Sequence, residues 1–301
     1  MLSLVSLVLV AVTCVDSYKV GIIHMHGVVE GYYEHNNFKK FIERNTGIPV
    51  HLLDAYNYAA SITPMQYQVP DILPRVKKIA AQYDKVIAVG YSQGGLIWRA
   101  MIEEWDDHNV ELFISLASPQ HGVYGAPPLA ETFVPFLHWY SRTTIYKVLY
   151  TFFGQTFSMF NYYLDPTHYN MYLEEVAFFP ELNNELSSIS PEEKERKKMN
   201  FLKLKKLALI GGESEDVIDP WQSTMFGSYT DEGFDGEVIP MEETKMYRDN
   251  LFGLRTLDER GGIVKCKYDG LTHLQFRDNQ GMLTTCILPL LQPYFTDKSV
   301  V

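Results

Sequence analysis

The sequence predicts an α/β fold built on a mostly parallel central sheet. Three observations carry this. Apolar, β-branched runs alternate with helical patterns; one such run ends in Gly90-Tyr91-Ser92-Gln93-Gly94 and leads straight into a helix; and a serine, an acidic loop and a histidine follow three different strands in that chain order. A chain of 301 residues accommodates one large α/β domain, or one domain with an inserted subdomain, and 46% apolar residues are ample for its core. The net charge of −11 argues against nucleic acid as a partner and leaves no basic patch for anionic membranes.

The segment Leu2 to Val15 is apolar, has the length of a signal-peptide core and is too short to span a bilayer. It lacks a basic flank, the first lysine being Lys19, so a buried N-terminal strand or helix is the alternative to a signal peptide over 1–17. With that segment removed, a single domain over 18–301 retains two cysteines, Cys266 and Cys286, which form either a disulfide or two buried thiols. No Asn-x-Ser/Thr sequon occurs anywhere in the chain.

Tyr18 to Gly27 reads as the first core strand, ending in His26-Gly27. Phe38 to Arg44 is a short amphipathic helix stopped by Asn45-Thr46-Gly47, and Ile48 to Leu53 is the second strand. Val69, Ile72, Val76, Ile79 and Ala80 mark a crossover helix whose regular part is expected to begin near Pro74, because Pro70 and Pro74 interrupt its start. The strand before Gly90, a helix to about Asp106 and the strand Val110 to Leu116 continue the alternation. Strands this apolar imply a sheet covered on both faces.

The rhythm breaks at Ser118-Pro119-Gln120-His121-Gly122. Between His121 and Pro180 lie 17 of the 41 Phe, Trp and Tyr residues, among them Phe133, Phe136, Trp139, Tyr140, Phe152, Phe153, Phe157, Phe160, Tyr162 and Tyr163. The piece from about 122 to 200 is expected to be a helical, aromatic-rich insertion (a cap) between the later strands. Its aromatics serve either as a subdomain core or as the lining of an apolar groove suited to an acyl chain. The charged run Glu192 to Lys198 reads as a solvated loop or helix face. Leu207 to Ile210 restores the sheet and leads into the acidic loop Gly211 to Pro220; Gly262 to Cys266 is the last strand, with Leu271-Thr272-His273-Leu274 in the loop behind it. Gly281 to Leu291 closes the chain as a helix or near-helix.

A serine hydroxyl is barely ionised at neutral pH and needs a base, which in turn needs an acid to orient it. Ser92, the carboxylates at 213–219 and His273 have the chain order serine, acid, histidine of the α/β-hydrolases. His121 competes as base but precedes every carboxylate in that loop, and His24 and His26 are better placed to shape the loop after the first strand. His35, His51, His108, His138 and His168 read as surface or packing residues. The oxyanion donors are expected at the Gln93 N–H and, from the loop after the first strand, at the Val28 N–H. No metal-ligand spacing is present, and no metal or cofactor is implied.

Tyr91 to Leu96 together with Phe113 to Gln120 resembles the palmitoyl-protein thioesterase family of lysosomal hydrolases. Leu209 to Gly212, Val217 to Ser223, Phe226-Gly227, Gly154 to Ser158, Asn161-Tyr162 and Asp165-Pro166 are closer to its second branch, the lysosomal thioesterases (palmitoyl-protein thioesterase two). The resemblance implies an α/β-hydrolase fold with a lid-like insertion and hydrolysis of long-chain S-acyl thioesters through an acyl-serine. It matches Ser92 and His273 to nucleophile and base and Cys266 and Cys286 to a disulfide pair of that branch, whose other cysteines are absent. The branch resembles an acyl-CoA thioesterase more than a protein depalmitoylase.

The family's acid is an aspartate five residues before the proline that is here Pro220, a position occupied by Glu215. Its extra methylene carries the carboxylate about 1.5 Å further from the backbone, and Asp216 can replace it by a one-residue shift of the loop, with Asp219 third. The implied location is the secretory pathway or lysosome, although without a sequon no N-glycan carries a mannose-6-phosphate signal. An oxygen-ester lipase or carboxylesterase shares the same machinery, and a displaced acid would suit a catalytically silent lipid-binding relative.

Overall fold

The computed structural model describes residues 18–124 and 143–295. The expected signal segment over 1–17, and Phe133, Phe136, His138, Trp139 and Tyr140 of the insertion, lie outside these residues.

Six strands form one parallel sheet: β1 (Val20–Met25), β2 (Val50–Leu52), β3 (Lys85–Tyr91), β4 (Val110–Leu116), β5 (Lys206–Gly211) and, after a two-stranded hairpin of β6 (Ser228–Tyr229) and β7 (Val238–Ile239), β8 (Ile263–Lys267). Their spatial order is β2-β1-β3-β4-β5-β8. The direction of winding therefore switches between β1 and β3, and the carboxyl ends at such a switch are where open α/β sheets bind ligands.

Alternation along each strand sends successive side chains to opposite faces. In β3, Val86 and Ala88 join one buried cluster and Ile87, Val89 and Tyr91 join the other. The first cluster is covered by α2 (Met65–Ala80), α3 (Gln93–Glu104) and the insertion; the second by α1 (Asn36–Thr46) and the C-terminal helical segment 280–291. Gly47 ends α1 in the left-handed conformation at φ 70°, with its N–H on Glu43 O.

One local expectation is revised, a second is narrowed, and one unassigned stretch is filled. First, α2 begins at Met65 and not near Pro74. Pro70 and Pro74 are exposed and four residues apart, on the face opposite the buried stripe Met65, Val69, Ile72 and Val76. A helix curving around a core loosens its hydrogen bonds on the solvent side, so the missing N–H groups fall where they cost least.

Second, the charged run belongs to the helix Pro191–Phe201, capped by Ser190, whose hydroxyl accepts Glu193 N–H. This helix packs on α3 with one face buried. Lys197 is 4% exposed and its ammonium lies 2.7 Å from Glu104 and 3.2 Å from Glu181, while Arg196 reaches Glu104 at 2.8 Å and Asp106 at 2.6 Å. Paired charges with buried alkyl stems replace the apolar stripe that the pattern lacks. Third, the hairpin β6–β7 and the helix Leu254–Glu259 fill the stretch between β5 and β8, for which the sequence offered no assignment.

Within the insertion, Tyr150, Phe160, Tyr162, Tyr163, Tyr172 and Phe179 are buried, whereas Phe152 and Phe153 are exposed. Cys266 of β8 and Cys286 form a disulfide with their Cα atoms 5.8 Å apart, tying the last strand to the C-terminal helical segment.

Candidate active site

Gly90 lies one residue before the end of β3 and Gly94 and Gly95 lie in the first turn of α3, with Ser92 between the two elements on a sharp turn at φ 53°, ψ −127°. The turn is that tight because its surroundings are backbone. A Cβ on Gly94 would run into the carbonyl oxygens of Met25 and His26, and one on Gly90 into the Cα of Gly95. Non-glycine residues are rarely found at such a φ, and this strain persists only where the packing on both sides enforces it. The serine is thereby lifted off the sheet's carboxyl edge, where Gly27 presses against it: a Cβ on Gly27 would lie 2.9 Å from Ser92 Cβ.

His273 opens a 3-10 turn beyond β8, with Thr272 and Gln275 closing a capping box around its start. Its Nε2 is 2.9 Å from Ser92 Oγ. Its Nδ1 is 2.8 Å from Glu215 Oε1 and 2.9 Å from Oε2. A carboxylate only accepts, so the imidazole proton sits on Nδ1 and the Nε2 lone pair faces the serine hydroxyl. Glu215 is anchored in turn, its Oε1 accepting the Val217 N–H at 2.9 Å and the Ile218 N–H at 3.2 Å. Both side chains are buried, Glu215 at 0% and His273 at 5% exposure, so the interaction is little screened by water.

The two neighbouring acids divide the work of holding the histidine. Asp216 Oδ1 accepts the backbone N–H of His273 at 2.8 Å, while Glu215 takes the ring. Tyr91 O–H donates to the His273 carbonyl at 2.9 Å and its ring lies 5.2 Å from the imidazole, centroid to centroid. Burial, reinforced by Glu30 and Glu215, pushes the Tyr91 phenol well above its usual range, so it remains a donor. Asp219 points elsewhere, accepting from Tyr229 O–H at 2.9 Å. His121 is also elsewhere, with its Nδ1 on Phe226 O at 2.9 Å and its pKa lowered by burial to about 4.

Around the loop after β1, the Val29 N–H is donated to Ser61 Oγ at 2.6 Å. Among the described residues, neither the Val28 nor the Gln93 N–H is donated to a protein acceptor. Beneath the loop lie three buried histidines, with the ring of His35 4.4 Å from His24 and 6.4 Å from His26. Burial lowers His24 well below its ordinary range and lowers His35 to about 3, so both are neutral. Glu30, beside His35, is paired with Arg277 at 3.0 Å; burial nevertheless raises its carboxyl. His35 is thus a buried member of this cluster and not a surface residue.

The residue missed in the sequence is Ser61, in a 3-10 turn (Tyr58–Ile62) that carries no motif. Among the described residues no group of three or more His, Cys, Asp or Glu is arranged to hold a metal, and no helix is long and apolar enough to cross a membrane.

A nucleophile elbow, a histidine with its proton fixed on the far nitrogen and a buried carboxylate are the parts of an acyl-transfer site. Comparison with known proteins agrees with that chemistry. Residues 21–273 match the family described as palmitoyl protein thioesterase. The chain is 38% identical over 277 residues to lysosomal thioesterase PPT2 of Mus musculus, covering 91% of this chain and 88% of that protein. It is 33% identical over 291 residues to the lysosomal thioesterase PPT2 homolog of Drosophila melanogaster, covering 94% and 98%. Among solved structures, the Pyrococcus furiosus esterase PF2001 aligns over 93% of this chain and 83% of that one, at 14% identity and a TM-score of 0.48. The chain belongs to the palmitoyl-protein thioesterase family.

Proposed function

We propose that the protein is a serine thioesterase that hydrolyses long-chain fatty acyl thioesters through an acyl-Ser92 intermediate. The observation that carries this reading is the unbroken chain from Ser92 Oγ to His273 Nε2 at 2.9 Å and from His273 Nδ1 to Glu215 at 2.8 Å, in a member of this family. In the first half-reaction His273 takes the hydroxyl proton as Ser92 Oγ attacks the thioester carbonyl. The tetrahedral oxyanion is held by the N–H groups of Val28 and Gln93, each such donor contributing about 3 kcal/mol of transition-state stabilisation. Val28 is favoured over Val29 because the Val29 N–H is already donated to Ser61. Collapse of the intermediate expels the thiol with the proton returned by His273. Water then follows the same route, activated by His273, and the fatty acid leaves.

Glu215, and not Asp216, acts as the orienting acid in this scheme, since it reaches the ring while Asp216 holds the backbone. The reading of a silent lipid-binding relative loses its motive, because the acid is within hydrogen-bond reach of the base. The described part of the insertion reaches the residue beside the nucleophile, with Tyr162 O–H 3.4 Å from Gln93 Oε1, and the acyl chain is assigned to that side of the site. A secretory, lysosomal location, with 1–17 removed as a signal peptide, is supported by the lysosomal relatives and by the disulfide.

The test is turnover of palmitoyl-CoA by the wild type and by Ser92→Ala. Loss of one triad member should lower kcat by on the order of 10⁶, with the unfolding midpoint retained. Turnover that survives the substitution contradicts the reading. Faster hydrolysis of a p-nitrophenyl ester than of palmitoyl-CoA would move the assignment to an oxygen-ester hydrolase.

A further inference from the structure

Val29, next to the oxyanion donor, is a β-branched residue at φ 62°. L-residues with a branched Cβ almost never occupy that region unless the surroundings hold them there. What holds it is visible. The loop His26 to Tyr32 lies along the segment Ala55 to Ser61 and is tied to it at four points. His26 Nε2 lies 2.9 Å from Ala55 O, Ser61 Oγ accepts the Val29 N–H at 2.6 Å, Glu30 O accepts the Tyr58 N–H at 2.7 Å, and Asn57 Oδ1 accepts the Tyr32 N–H at 3.0 Å. Of these, the Ser61 bond acts on the strained residue itself.

Ser61 is 1% exposed and is fixed from three directions at once. Its carbonyl oxygen accepts Gln68 Nε2 at 2.8 Å from α2, Gln93 Nε2 at 3.0 Å from the residue after the nucleophile, and Ser158 Oγ at 2.8 Å from the insertion. A carbonyl has two lone pairs, so three donors crowd it and leave the residue little freedom. One buried serine therefore joins the loop carrying one oxyanion amide, the residue carrying the other, and the insertion above both.

We infer that Ser61 is a positioning residue for the oxyanion hole. Its hydroxyl locks Val29 in the left-handed conformation, which aims the Val28 N–H at the oxyanion, while its carbonyl sets that lock in register with Gln93 and the insertion. This rests on the proposed acyl-serine mechanism and adds to it a residue that touches neither substrate nor reacting atoms.

The experiment compares wild type, Ser92→Ala, Ser61→Ala and Ser61→Ala/Val29→Gly in palmitoyl-CoA hydrolysis, with the rate of Ser92 labelling by a fluorophosphonate as a second readout. Ser61→Ala deletes the hydroxyl and leaves the backbone carbonyl. An oxyanion donor set off its line should lower kcat by about 10- to 100-fold while KM stays within about twofold, because only transition-state binding is lost. Labelling of Ser92, in which Oγ attacks phosphorus and fluoride leaves through a pentacoordinate species whose phosphoryl oxygen lies in the oxyanion hole, should slow by a similar factor. Glycine adopts positive φ without strain, so Val29→Gly in the Ser61→Ala background should recover part of both losses. If Ser61→Ala does not fold, Ser61→Cys, with a weaker acceptor of similar size, carries the same expectation. An unchanged kcat, a rise in KM alone, or a loss that Val29→Gly does not lessen overturns the inference. Failure of the mechanism itself has a different signature: Ser92→Ala turns over substrate, or wild type does not, whatever Ser61 does to the labelling rate.

Discussion

Ser92 and His273 meet at 2.9 Å, yet the two halves of the site that deliver them are built from different materials. The serine is placed by backbone. Gly90 and Gly94 allow main chain to touch main chain, Gly95 makes room for the Ser118 side chain, and the strained φ of 53° is enforced by strands and a helix on either side. The histidine is placed by side chains. Glu215 holds its ring, Asp216 its N–H and Tyr91 its carbonyl, from the loop after β5 and the last residue of β3, which are distant in sequence. A backbone-built half tolerates almost no added atom, whereas a side-chain-built half loses function in steps, one hydrogen bond at a time.

That contrast sets an order of effects. Glu215→Gln keeps size but allows the wrong imidazole tautomer, and should lower kcat by about 10³- to 10⁴-fold; Asp216→Asn, which still offers an oxygen to the His273 N–H, should lower it by no more than about 10-fold. Steady-state kinetics on palmitoyl-CoA measures both, and equal losses would break the division of labour. On the other side, Gly94→Ala adds one carbon against the carbonyls of Met25 and His26, displaces the end of β1 that carries the oxyanion loop, and should lower kcat by about 10²- to 10³-fold. A near-normal rate would show that the elbow yields more easily than its contacts indicate.

The smallest effect on turnover concerns His35, which packs beneath both halves against His24 and Tyr91. Its pKa is held at about 3 in the folded protein, against about 6.5 in the unfolded chain. Between those values the unfolded state binds the proton and the folded state does not. The associated stability is therefore complete above pH 6.5 and is lost as the pH falls toward 3. From pH 7 to pH 5 this group alone removes roughly 2 kcal/mol. Denaturant unfolding of His35→Leu should show a correspondingly shallower decline than wild type over that interval; identical pH slopes would contradict it.

How much of this was legible in the sequence follows the same division. Backbone constraints write themselves as glycines next to β-branched runs, so the strands of the central sheet along the chain, the elbow at Ser92 and the loop after the first strand at His26-Gly27 were readable. Side-chain constraints leave weaker marks. Glu215 and Asp216 are adjacent carboxylates, and which of them meets the ring depends on a loop whose course is fixed by Val217 and Ile218 N–H groups folding back onto Glu215. Pro70 and Pro74 misplaced the start of α2 because helix breaking depends on which face the prolines occupy, a tertiary property. Ser61 left no mark, since three of its bonds use the backbone oxygen that every residue carries, and its hydroxyl, which donates locally to Tyr58 O, accepts from Val29, 32 residues away.

The central claim is that Ser92 becomes acylated and His273, oriented by Glu215, drives both halves of the reaction. The most direct measurement is rapid acid quench of the wild type during palmitoyl-CoA turnover, followed by peptide mass spectrometry. The account predicts a palmitoyl ester on Ser92 that forms and decays at rates consistent with kcat. Turnover at the same rate with no acyl group on Ser92, or with the acyl group on another residue, would contradict it.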